Sequence, residues 1–159
     1  MNHTALQFHK FAKPATEQMF NQRIHSTLFG ELTISRRKII HFPTGIPGLE
    51  QVRSYTFLDI EEYRPLVWMV STCGKYHFPV IPIAHLDAES IDEHSKDNYL
   101  PLLTDIMKQQ PMSVAYVILR LEPEIKQVSL KAPIIVHLQE QRGEQLILEN
   151  MINEEFLVA

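Results

Sequence analysis

From Lys38 to Gln51 the chain reads Lys-Ile-Ile-His-Phe-Pro-Thr-Gly-Ile-Pro-Gly-Leu-Glu-Gln, and no other stretch restricts the fold as much. Pro43 and Pro47 fix φ and withdraw two backbone donors. Gly45 and Gly48 permit φ > 0. The apolar run Ile39, Ile40 and Phe42 feeds straight into them, so a strand has to end there at a rigid corner. Ile46 and Leu49 carry large apolar side chains on that corner, which fold back onto a core or face a partner. Pro79, Pro82, Pro111 and Pro133 punctuate the rest of the chain in the same way.

Between these breaks the period is mostly two. Leu28, Gly30, Leu32 and Ile34 fall on one face and Thr27, Phe29, Glu31 and Thr33 on the other, which predicts a half-buried strand from Thr27. Ser35-Arg-Arg-Lys turns it into Ile39–Phe42, a hairpin. Tyr55–Ile60 reads as a strand. Leu66–Cys73 is the most continuous apolar run and predicts a central strand with Trp68 as a core anchor. Pro79 and Pro82 make His77–Ala84 an edge or a kinked strand. Ser113–Leu121 is apolar on both faces and therefore central. Val128–Leu130, Ile134–Leu138 and Glu144–Glu149 complete a set of short strands, with Pro133 at a bulge or edge. One helix is predicted over about 98–110, with Asn98 as N-cap, Pro101 in its first turn, and Tyr99, Leu102, Leu103, Ile106 and Met107 on one face. The pattern is that of a single mainly β domain, a barrel or sandwich with one helix.

Charge and chemistry narrow the function. The net charge of −4 lacks the basic footprint of a nucleic-acid binder. Residues 1–24 carry +2 and the remainder −6, a sign that steers a basic protein partner. Cys73, the only cysteine, reads as a buried thiol in a reducing compartment. The acidic residues of 85–97 lack the glycine and the spacing of a calcium loop. The eight histidines form no close ligand pair. Thr44-Gly-Ile-Pro-Gly loses two donors to proline and is no phosphate cradle. No nucleophile, base and orienting group assemble. Binding is expected, without catalysis, cofactor or metal. Residues 1–24 form an N-terminal extension ahead of the domain at 25–159. In it Ala15–Arg23 could form a short helix. Its apolar residues are Leu6, Phe8, Phe11, Met19 and Phe20, and the segment is either a flexible or peripheral arm or one whose aromatics dock in a groove of this molecule or a neighbour. Neither a secretory h-region nor a membrane-length apolar run is present, so the cytoplasm is the expected compartment.

Four stretches resemble one family. Thr27-Leu-Phe-Gly-Glu-Leu and Ile39-Ile-His-Phe-Pro-Thr-Gly-Ile-Pro-Gly-Leu-Glu are similar to signatures of the flagellar assembly factor FliW family. Ser129-Leu-Lys-Ala-Pro-Ile-Ile resembles its Asn-Leu-Lys-Ala-Pro-Ile motif with Ser129 in place of Asn, and Gly143-Glu-Gln-Leu-Ile-Leu-Glu its last strand. The resemblance implies an antiparallel pseudo-barrel capped by a helix, with no enzymatic activity. It implies a cytoplasmic regulator that binds flagellin and antagonises the RNA-binding translational regulator CsrA, coupling flagellin translation to secretion in a chaperone-like role. Such a protein makes no direct contact with nucleic acid or membrane and is a monomer when free. A structural adaptor on the same fold with another protein partner is the alternative. Phe42, Ile46, Leu49 and Tyr63 are the candidate partner-binding residues beside the corner. Ser129 and Lys131 are the candidates in the Leu-Lys-Ala-Pro motif.

Overall fold

The structure is a computed structural model and describes residues 20–120 and 127–152. Its elements are β1 (Asn21–Ser26), β2 (Gly30–Ser35), β3 (Ile39–His41), β4 (Ser54–Leu58), β5 (Val67–Ser71), β6 (His77–Pro82), α1 (Leu100–Lys108), β7 (Ser113–Ile118), β8 (Ile134–His137) and β9 (Arg142–Gln145). Strands β3 to β9 close a seven-stranded barrel, and β1 and β2 form a separate two-stranded sheet. Neighbours in the barrel are antiparallel except at the closure, where β3 and β9 run parallel through the single pair His41–Arg142. Among the described residues no helix is long and apolar enough to cross a membrane.

The barrel has one interior and two covered outer faces, because strand side chains alternate. Ile40, Phe42, Tyr55, Met69, Val80, Ile134 and Val136 pack together inside. Ile81, Ala115, Val117 and Ile135 point outward from β6, β7 and β8, where they meet Tyr99, Leu103 and Leu148. Thus α1 caps the barrel from its side. The hairpin β1–β2 covers the outer face of β5, with Phe29 edge-on to Trp68 at 5.5 Å. Gly74 permits that approach: a Cβ there would run into the His25 carbonyl.

Several elements depart from the sequence expectation. The hairpin partner of β2 is β1, not β3. Residues 21–24 are strand, so the boundary placed after residue 24 falls inside β1, and Asn21–Arg23 is not helix. Residues 1–19 of the extension lie outside the described residues. The prolines of β6 do not force it to an edge, since it pairs with β5 through His77–Val80 and with β7 through Val80–Pro82. The Pro79 carbonyl accepts from Leu119 N–H at 2.8 Å, so its nitrogen faces the end of β7. By alternation the Pro82 nitrogen faces beyond the start of β5. Both missing donors fall where no ladder bond is required.

The helical run starts earlier than Asn98. Asp92 Oδ1 accepts from Ser95 N–H at 2.7 Å and caps it. A π-helical turn over Ser95–Tyr99 precedes α1, and this wider turn accommodates the donor that Pro101 lacks. Asn98 donates instead to the His94 carbonyl. Val128–Leu130 makes only one bridge, Val128 to Ile91. The expected strand Glu144–Glu149 stops at Gln145, and the chain is helical from Leu148. Leu121 and the turn after it lie outside the described residues, as do Phe156, Leu157 and Val158.

Candidate partner-binding surface

The corner residues turn inward. Phe42 is fully buried, edge-on to Tyr55 at 5.1 Å and pressed against Gly143. Ile46 is buried in the same cluster, and Leu49, half-buried, donates its N–H to the Ile46 carbonyl at 2.7 Å. Arg53 fastens the corner by donating to the carbonyls of Pro43 (2.6 Å) and Glu50 (2.8 Å). The backbone N–H groups of Gly48 and Glu50 hold the Glu50 carboxyl below its ordinary pKa. Gly45 has φ +69, and a Cβ there would lie 2.6 Å from Glu50 Cα. The apolar corner is therefore a plug for the barrel: Phe42 and Ile46 are core residues with no face to offer a partner.

Tyr63 lies elsewhere. It is 47% exposed, on the turn before β5, and stands edge-on to Trp68 at 5.9 Å. Trp68 is held on its other contact by Phe29. Leu28, next to Phe29 on the hairpin turn, is 56% exposed. Glu61 and Glu62 are exposed beside Tyr63, and Arg64 pairs with Asp59 at 2.9 Å. Phe29 and Tyr63 thus flank the buried Trp68, with the exposed Leu28 next to Phe29 in the chain and Glu61 and Glu62 next to Tyr63. Alternation from Thr27 sets Leu28 with Leu32 and Ile34 on the apolar face of a strand and Phe29 on the opposite one. The turn residues Thr27 to Phe29 reverse that, and the Leu-Phe-Gly order was the available signal.

Below this patch the hairpin is latched to the barrel. Ser26 Oγ lies 2.6 Å from His77 Nε2 and accepts N–H bonds from Leu28 (3.2 Å) and Phe29 (2.8 Å). Two acceptor positions are filled, so the hydroxyl proton goes to Nε2 and the imidazole is the neutral Nδ1–H form. Burial pushes the His77 pKa below its ordinary value, partly opposed by a backbone bond at Lys75. Cys73 is exposed, contrary to the buried thiol expected. Burial would raise its pKa, but the Ser71 hydroxyl, the Lys75 and Cys73 backbone and the Lys75 charge outweigh that and lower it.

Ser129 and Lys131 are brought to neither place. Both are exposed, on the α1 side of the barrel, in a segment that acts as a brace. Leu130 N–H donates to the buried Ser95 Oγ at 2.9 Å, and Leu148 N–H to the Lys131 carbonyl at 2.8 Å. Ser129 Oγ accepts from Lys131 N–H at 3.3 Å, a local turn that serine supplies in place of an amide. A second apolar surface borders this side. A groove of about 490 Å³ runs between α1 and β6–β7, lined by Ile83, Leu100, Leu103, Met107 and Val114. The exposed Met112 immediately precedes Ser113 of that lining and is joined to the exposed Leu138 by a backbone bond of 3.0 Å.

Comparison with known proteins agrees with this architecture. The family model described as FliW protein matches residues 23–157. The flagellar assembly factor FliW of Thermosipho africanus is 28% identical over 126 residues, covering 79% of this chain and 87% of that protein. That of Thermotoga maritima is 29% identical over 136 residues, covering 80% and 86%. A crystal structure of the flagellar assembly factor FliW superposes with a TM-score of 0.59 at 23% identity, over 81% of this chain and 90% of that one. That last likeness establishes the barrel fold. The match to the family model takes in both covering layers and the whole barrel, and so this chain belongs to the FliW family, whose members are flagellar assembly factors and not enzymes.

Proposed function

We propose that this protein binds flagellin and antagonises CsrA in the cytoplasm, so that secretion of flagellin frees it to restrain CsrA. The observation that carries the reading is the family match across residues 23–157. Two surface properties support it. The chain's net charge of −4 favours encounter with a basic RNA-binding regulator. The half-exposed Tyr63 on Trp68, beside the exposed Glu61 and Glu62, offers apolar area and negative charge together. An amphipathic segment carrying basic residues suits such a patch.

The test mixes the purified protein with flagellin and with CsrA, separately and together. Binding to each, with mutual displacement, is the expected result. A stable complex of all three contradicts the switch. Binding to neither favours the adaptor alternative. Within the same experiment Tyr63→Ala is expected to weaken one partner about tenfold, or ~1.4 kcal/mol, with an unchanged melting temperature. Equal affinity would remove Tyr63 from the interface.

A further inference from the structure

The groove beside α1 is apolar, open and unclaimed by the patch around Trp68. Its wall is the Leu100, Leu103 and Met107 side of the helix, and its floor is Pro82, Ile83 and Ser113–Ala115. The chain also carries a segment that the family match leaves out. That match begins at residue 23, and residues 1–19 contain Leu6, Phe8 and Phe11 within six positions. We propose that this N-terminal segment docks Leu6, Phe8 and Phe11 in the α1/β6–β7 groove of its own molecule, as a built-in occupant.

Three observations point to that occupant. The first is where the arm joins the barrel. The Phe20 ring lies under the Arg37 guanidinium at 5.8 Å. The Gln141 amide donates to the carbonyls of Arg36, Arg37 and Ile39. Gln141 follows Leu138 in the β8–β9 turn, and Leu138 N–H donates to the Met112 carbonyl. Met112 immediately precedes Ser113 on the groove floor. Phe20 therefore emerges at the end of the barrel where Met112 leads into Ser113 of the groove floor. The second is reach. The groove floor on β7 is two strands from β9, about 10 Å across the sheet. The nine residues from Phe11 to Phe20 span up to about 30 Å when extended. The third is charge. Lys10 and Lys13 against Glu17 give residues 1–19 a net +1, so residues 20–159 carry −5 of the total −4. Burial of two phenylalanines and a leucine in an apolar channel supplies the attraction, and the opposite charge favours the intramolecular encounter.

The experiment uses the full chain and its methyl NMR spectrum. In the unsubstituted protein, contacts between phenylalanine ring protons and the Met107 methyl are expected, and they vanish in Leu6→Ser/Phe8→Ser/Phe11→Ser. The methyls of Ile83, Leu100 and Met107 shift in that variant, whereas those of interior Met69 and Ile134 hold still and report an intact barrel. A second variant approaches from the groove. Ala84 is exposed on its rim, and Ala84→Arg should expel the arm and raise the rate of tryptic cleavage after Lys10 at least tenfold. Groove methyls unmoved by the triple substitution, or equal cleavage rates with and without Ala84→Arg, would overturn the proposal. Protection that appears only as protein concentration rises would also overturn it, by assigning the groove to a second copy's arm.

Discussion

At the scale of single residues, two buried polar groups make opposite predictions. The Tyr55 hydroxyl is inside the barrel with no hydrogen-bond partner among the described residues, and its pKa is pushed up to about 12, chiefly by burial. An unsatisfied buried hydroxyl costs about 1–3 kcal/mol. Tyr55→Phe keeps the ring contacts with Phe42 and Phe78 and should raise stability by about 1 kcal/mol in a denaturant titration; a loss would show that the hydroxyl has a partner. The Ser26–His77 pair behaves otherwise. The folded state favours neutral His77, whose pKa burial holds below the ordinary imidazole value of 6.5. Its contribution is therefore full above pH 6.5 and declines as pH falls towards the folded pKa. Thermal melts between pH 7 and pH 5 should show that decline, and His77→Gln, whose amide oxygen still accepts the Ser26 proton, should remove His77's share of it. An identical acid profile in the variant would assign the loss to other groups.

At the scale of elements, the helix start gives a quantitative check. Asp92→Ala removes the acceptor of Ser95 N–H and should cost about 1 kcal/mol, whereas Asn98→Ala, at the position the sequence favoured, should change equilibrium stability less. Sequence reasoning chose Asn98 because Pro101 belongs in a first turn, and a wide turn that tolerates proline leaves no trace in local propensity. The same limit explains β6. Its apolar content was legible, but its place in the interior depends on which way each proline nitrogen faces, and that follows from the stagger of its two neighbours. The hairpin partner of β2 was missed because Asn21–Ser26 has few apolar residues; its burial comes from docking on β5, through Thr27 N–H to the Gly74 carbonyl at 2.9 Å and Phe29 on Trp68. The corner was legible as a rigid turn from Pro43, Gly45, Pro47 and Gly48. The direction of Ile46 was not, since turn chemistry fixes backbone and leaves the side facing the barrel to Gly143 and Tyr55. Of the proposed contact residues, Tyr63 alone combines half-exposure with a fixed ring orientation.

At the scale of the whole molecule, the barrel is a shared wall between three apolar compartments. Its interior is plugged by the corner, one outer face is roofed by α1 and another by the hairpin. Surfaces for partners are what these coverings leave open, which is why binding residues were harder to read than core residues: a core position is declared by its own alternation, and an exposed one by the limits of its neighbours. The excess of acidic residues acts at this scale too. Association with the basic regulator proposed as its partner should slow as ionic strength rises, with the dissociation rate nearly constant. Stopped-flow mixing at low and physiological salt measures both rates, and an association rate indifferent to salt would deny the acidic surface a steering role.

Around most of its girth the wall is held by several rungs per strand pair, yet β3 and β9 share only one, reinforced by His41 N–H to the Gln141 carbonyl at 2.8 Å and by the clasp of the Gln141 side chain. The cylinder therefore has a zip fastener whose slider is a single glutamine. A force or a fluctuation that parts that clasp and lifts Phe42 from Gly143 converts a tube into a sheet with two raw margins.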